Sequence, residues 1–72
     1  MKTVYKYLII YEDSLLLHGS KVGYAVRNNR SGDRIGSIYW YSCWRQYIFE
    51  PNYSTVYSVG CMKDIIDFIS QL

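Results

Sequence analysis

Seventy-two residues make one domain, 1–72, and at that size folding hides only about 60% of the unfolded chain's surface. A net charge of +2 falls short of the strongly basic balance, pI above about 9, of a dedicated nucleic-acid domain. Two cysteines without CxxC spacing, beside a single histidine, speak against a disulfide framework and a structural zinc site, so no metal and no cofactor is expected.

Val4 to Tyr11 reads as a strand, with Tyr5, Tyr7, Ile9 and Tyr11 on one parity. Glu12-Asp13-Ser14 is a turn signal, and Leu15-Leu16-Leu17-His18 is either a strand extension or a packed loop, broken by Gly19-Ser20. Lys21 to Arg27 is the second strand, and Asn28 to Asp33 a hairpin loop rich in residues that tolerate positive φ. Arg34 to Tyr41 is the third strand, in which Gly36 marks a bulge or a close backbone approach. Ser42-Cys43 connects to a fourth strand, Trp44 to Glu50, ended by Pro51-Asn52. Thr55-Val56-Tyr57 suits a short fifth strand.

Ser58 is placed to cap a helix that runs to Leu72. Met62, Ile65, Ile66, Ile69 and Leu72 form its apolar stripe, flanked by Cys61 and Phe68. The fold class expected is therefore α+β. An antiparallel meander of four to five strands, open or curled toward a barrel, carries one C-terminal amphipathic helix on one face. The other face must be exposed, curl, or meet a partner.

No apolar run approaches the roughly 18 residues of a membrane span, so no membrane partner is expected. No secretory leader is visible, because Tyr5, Lys6 and Tyr7 interrupt any apolar run. A reducing cytoplasm with free thiols is the expected setting.

The densest chemistry lies in Ile38 to Phe49, where twelve residues hold two Trp, three Tyr, one Phe and one Arg. Tyr, Trp and Arg anchor binding interfaces, and aromatics also supply core bulk, so the segment is core, recognition surface, or both on opposite faces. The candidate ligand or partner contacts are Trp40, Trp44, Arg45, Tyr39 and Tyr41, with Arg45 expected to lie flat against a ring. Arg27, Arg30 and Arg34 are a secondary candidate anion contact. His18 near Glu12, Asp13 and Ser14 does not make a triad from sequence proximity alone. No carboxylate pair suits acid–base work, so no catalytic residue and no enzyme activity is expected.

The run Gly36-Ser37-Ile38-Tyr39-Trp40-Tyr41-Ser42-Cys43-Trp44-Arg45-Gln46-Tyr47-Ile48-Phe49-Glu50-Pro51, followed by Thr55-Val56-Tyr57-Ser58 and Cys61-Met62-Lys63-Asp64-Ile65-Ile66-Asp67-Phe68-Ile69, resembles a small, functionally uncharacterised family found in bacteria and their phages. Its pattern is G-x-I-x-W-Y-x-x-W-R-Q-Y-x-F-x-P, then T-V-x-S, then C-L-x-D-I-x-x-F-I, with Met62 here in place of Leu. The likeness covers residues 34 to 72. It implies a phage or prophage context and brings no activity with it.

Two functional expectations follow. The first is a non-catalytic binding module, a phage-encoded host-interaction or anti-defence accessory protein, that occupies a protein partner or a small anionic ligand as a homodimer. The second, ranked behind it for want of charge, is a single-stranded nucleic-acid binder using an aromatic sheet face and arginines.

Overall fold

Alternating apolar residues through the first fifty positions give strands, and the 3.6-residue spacing of the last dozen gives a helix. The computed structural model describes residues 1–72. It contains β1 (Leu8–His18), β2 (Lys21–Asn28), β3 (Arg34–Tyr41), β4 (Gln46–Pro51) and α1 (Val59–Ile69). The strands form one antiparallel sheet in the order β1-β2-β3-β4, a meander that does not close into a barrel. Residues Thr55 to Tyr57, expected as a fifth strand, run as a connection into the helix.

The start of the chain departs from a single strand over Val4–Tyr11. The Tyr5 N–H donates to the Leu8 carbonyl and the Ile10 N–H to the Thr3 carbonyl, so residues 3 to 5 double back along the outer edge of β1. Tyr5 enters the core instead of sharing a strand face with Tyr7, Ile9 and Tyr11, and Tyr7 is exposed in the turn. Beyond Tyr11 the strand continues through the expected turn at Glu12-Asp13-Ser14 to His18. It does so with an irregularity: four residues, 14 to 17, face Val22 alone between the pairs Asp13–Gly23 and His18–Lys21. Leu16 folds over Gly23, where any Cβ would collide with the Leu16 side chain.

The core lies between one sheet face and α1. Leu8, Ile10, Tyr24, Val26 and Ile38 rise from β1, β2 and β3 to meet Ile65 and Phe68, with Tyr5 at the margin. Phe68 is fully buried and meets Tyr24 edge-on, ring centres 4.9 Å apart. Burying one such ring contributes about 1.5–3 kcal/mol. Tyr47, Phe49 and Tyr57 extend the packing toward β4; Tyr57 lies edge-on to Phe49, and the Phe49 ring occupies the space above Gly36 that a side chain would need.

The buried stripe of α1 is turned one position from the expected one. Phe68 and Ile65 are its centre, while Met62 and Ile66, expected to face the sheet, are exposed. Ser58 caps the helix, its side-chain oxygen accepting from the Cys61 N–H at 3.1 Å.

The far end of α1 is tied to the start of the chain. The Tyr5 hydroxyl donates to Asp67 at 2.8 Å, and Lys2 and Gln71 exchange two hydrogen bonds. Burial first, and the Asp67 bond second, push the Tyr5 hydroxyl up to about 12. An unfolded tyrosine loses its proton near 10, so between about pH 10 and 12 the unfolded chain releases a proton that the folded chain keeps. The contribution of Tyr5 is therefore complete below about pH 10 and lost as pH rises toward 12. Tyr5→Phe is expected to cost about 1 kcal/mol in urea unfolding at pH 7. Its deficit against the wild type should shrink, then invert, as the same measurement is repeated from about pH 10 to 12; a constant deficit would mean that Tyr5 does not titrate in that window.

Candidate binding surface

With α1 on one face, everything of opposite parity lies on the other. That face carries Ile9, Tyr11 and Asp13 from β1, Ala25 and Arg27 from β2, Ser37, Tyr39 and Tyr41 from β3, and Gln46, Ile48 and Glu50 from β4, read from the strand pairings. Its two halves are built differently.

The β1–β2 half is closed by its own polar side chains. Arg34, at the start of β3, donates to Asp13 on β1 at 2.6 Å and to the Ser37 hydroxyl at 3.0 Å. To reach Asp13 it crosses β2, which leaves Ala25 with no exposed surface although no helix covers it. The Leu15 N–H, bonded to Asp13 at 3.0 Å, and then the Arg34 guanidinium hold the Asp13 carboxyl below the usual carboxylate range. Arg27 lies over the Tyr11 ring, 5.4 Å from its centre, donates to the Tyr11 hydroxyl, and also donates to the Gly32 carbonyl. Both arginines are thus engaged within the chain.

The β3–β4 half is left open. Tyr39 and Tyr41 stand two residues apart, and Trp44 meets Tyr41 edge-on with ring centres 5.1 Å apart. Trp44 is 66% exposed. Partial burial first, and the Glu50 carboxylate second, raise the Tyr39 hydroxyl above the ordinary tyrosine range; for Tyr41 the neighbouring Cys43 thiol is the main cause of a rise. Both remain neutral hydroxyls, able to donate, at pH 7.

Three of the five candidate contacts, Tyr39, Tyr41 and Trp44, come together here. Trp40 does not: it faces the helix side, edge-on to Tyr47 at 5.6 Å, with the Lys21 ammonium 4.7 Å from its ring centre. Arg45 stands beside Trp44, but not as expected. The turn takes Ser42 to Arg45, so β4 begins at Gln46 and neither Trp44 nor Arg45 belongs to a strand. Arg45 is exposed, with φ at 52°, and its guanidinium lies over no ring and makes no hydrogen bond within the chain. The guanidinium that does stack is that of Arg27.

The three arginines of this hairpin do not converge. Arg30 lies apart from the other two, beside Lys6, Tyr7 and Asn28 in a cleft of about 280 Å³ at the opposite end of the sheet. Asn29 ties the two turns that form it, donating from its backbone to the Tyr7 carbonyl at 2.8 Å and from its side chain to the Tyr5 carbonyl at 3.1 Å. The contacts of Asp13 and Glu50 were hidden in the sequence because they depend on neighbouring strands, and Lys6 reaches the cleft because the chain turns before β1; only the Asn28–Asp33 loop signal pointed toward the cleft.

The run that carries the family resemblance folds as the β3–β4 hairpin and the capped helix. Comparison with protein-family models, with curated proteins and with solved structures finds no match to this chain.

A non-glycine residue in the left-handed region costs about 1–2 kcal/mol, and Arg45 makes no side-chain bond that repays it. Glycine adopts that conformation freely but loses more entropy on folding. Arg45→Gly is therefore expected to leave stability unchanged or raise it by up to about 1 kcal/mol in urea unfolding. A loss of more than about 1 kcal/mol would show a structural role for the side chain.

Proposed function

We propose that this chain is a non-catalytic binding module that acts by occupying a protein partner, with the β3–β4 half of the helix-free face as its working surface. Trp44, Tyr41 and Tyr39 serve as rigid anchors, and Arg45 as the charged contact at their rim. The observation that carries the reading is the contrast between the two halves of that face. One half is filled by its own ion pair and stacked arginine; the other presents an edge-on Tyr–Trp pair, a free arginine and no internal cover. Tyr, Trp and Arg grouped this way are the residue types that dominate interface energetics.

The charge pattern favours a protein over a nucleic acid. Arg27 and Arg34, which would have tracked a phosphate backbone, are bound to Tyr11, Gly32, Asp13 and Ser37, and Glu50 stands on the same face as the tyrosines. A single strand stacking on Tyr39, Tyr41 and Trp44 would meet little free positive charge. The phage context implied by the resemblance supports a host-interaction or anti-defence role for such a module. A homodimer would be compatible with it.

The test compares immobilised wild type with a Trp44→Ala/Tyr41→Ala double variant in capture from bacterial lysate. Both side chains are surface groups of a turn and a strand end, so the variant is expected to melt within a few degrees of wild type. Capture of a specific protein should weaken at least about thirtyfold, since truncating an anchoring aromatic costs about 2 kcal/mol or more. Undiminished capture by the folded variant would contradict the assignment. Binding of single-stranded oligonucleotides that falls steeply between about 50 and 200 mM salt would replace it with the nucleic-acid reading.

A further inference from the structure

The two edges of the sheet are treated differently. The outer edge of β1 is covered by residues 3 to 5, which accept and donate its backbone bonds as far as Ile10, and is then broken by the irregularity from Asp13 to His18. A covered or distorted edge cannot be extended by another strand. No strand or loop backbone is bonded to the outer edge of β4.

The polarity of that edge follows from the ladder. The Asn52 N–H donates to the Ile35 carbonyl, so positions 52, 50, 48 and 46 direct their backbone groups to β3. By the same alternation, Tyr47 and Phe49 direct N–H and C=O outward. Pro51 has no N–H and ends the series. Pro51 and Glu50 guard only the end of this edge: no lysine stands in Gln46–Pro51, and Tyr47 and Phe49 present their backbone groups without a charge or proline between them.

We infer that β4 pairs antiparallel with β4 of a second copy of this chain about a two-fold axis at Ile48. In that register the outward N–H of Tyr47 donates to the carbonyl of Phe49 in the other copy, and the N–H of that Phe49 donates back. The axis repeats the exchange, so all four outward N–H groups and their four carbonyls are satisfied. Ile48 meets Ile48 on the helix-free face. A slip by one residue pair would instead set Ile48 opposite Gln46 or Glu50. Gln46 stands opposite Glu50 of the second copy, twice by symmetry.

A second observation places the same partner on the helix side. Among the strands α1 lies closest to β4, and its far end is tied to Tyr5 at the opposite edge, so its first turns stand over the β4 margin. Val59 and Met62 in those turns are 64% and 48% exposed. Exposed apolar surface of this kind marks an interaction site, and a second copy paired on β4 stands beside it. The product is a continuous eight-stranded sheet, with both Tyr39–Tyr41–Trp44 clusters on one face. The pairing does not depend on what that face binds.

Gln46 supplies the test, because it is exposed and makes no side-chain bond within the chain. Gln46→Lys sets a lysine opposite Glu50 of the second copy at two equivalent places; Gln46→Glu sets two carboxylates together there. A directly opposed pair is worth about 0.2–1 kcal/mol, and like charges cost a similar amount. Two such pairs change the dimer dissociation constant by roughly two- to thirtyfold, tighter for Gln46→Lys and weaker for Gln46→Glu. Sedimentation equilibrium of the intact chain reads both constants. Amide exchange reads the interface directly: Tyr47 and Phe49 gain protection as protein concentration rises, while Ile48 and Glu50 are protected throughout. A monomer at about 100 μM, equal effects of the two substitutions, or fast concentration-independent exchange at Tyr47 and Phe49 would each overturn the inference.

Discussion

One helix of eleven residues has to serve a sheet with two faces, and the rest of the structure follows from that shortage. Phe68 fixes which face is served. Fully buried against Tyr24 and joined by Ile65, it gathers Leu8, Ile10, Val26 and Ile38 into the single apolar core. A chain this short rarely supplies more than about 3–5 kcal/mol net from one core, so there is no second layer to spend on the opposite face. That face is handled by polar chemistry where it is closed and by exposure where it is not. The Arg34–Asp13 pair reaches over Ala25, and Arg27 lies on Tyr11; together they replace a missing helix above β1 and β2. Nothing of the kind stands above β3 and β4.

The aromatic segment from Ile38 to Phe49 divides along the same line. Strand alternation sends Ile38, Trp40, Tyr47 and Phe49 to the helix side and Tyr39, Tyr41 and Ile48 away from it. The Tyr47 hydroxyl reaches back to the Val22 carbonyl at 2.9 Å, which anchors β4 across the sheet to β2. The turn from Ser42 to Arg45 then lifts Trp44 and Arg45 out of the alternation altogether. They owe their exposure to the turn, and Arg45 holds a conformation that glycine would occupy at less cost. The segment is core on one side and exposed or half-buried surface on the other.

Much of the architecture was legible because it depends on local pattern. Period-two runs marked β2 and β3 almost to the residue, the Asn-rich loop marked their hairpin, and Ser58 marked the cap. What escaped depended on partners far along the chain. Val4 to Tyr11 alternates like one strand, yet the chain doubles back at its start, and Tyr5 enters the core with its hydroxyl bonded to Asp67 at the margin. Trp44 and Arg45 have residue types that suit a strand, and only the register of β3 against β4 assigns them to the turn. The helix offered two overlapping apolar stripes. The large ring of Phe68, fitting beside Tyr24, selected the one that leaves Met62 and Ile66 outside. The surface residues were legible as a composition but not as an arrangement, because the engagement of Arg27 and Arg34 is invisible until the strands are paired.

One sheet face is core and the other, over β3 and β4, is surface. Ile38 and Tyr39 are adjacent residues that point to opposite sides, the first fully buried and the second half-buried with no second layer above it. Urea unfolding of Ile38→Ala and Tyr39→Ala in dilute protein at pH 7 measures the difference directly. Ile38→Ala is expected to lose about 2–5 kcal/mol, most of the stability, and Tyr39→Ala about 1 kcal/mol or less. Equal losses from the two substitutions would mean that Tyr39 is packed as deeply as Ile38, and the open face would not exist.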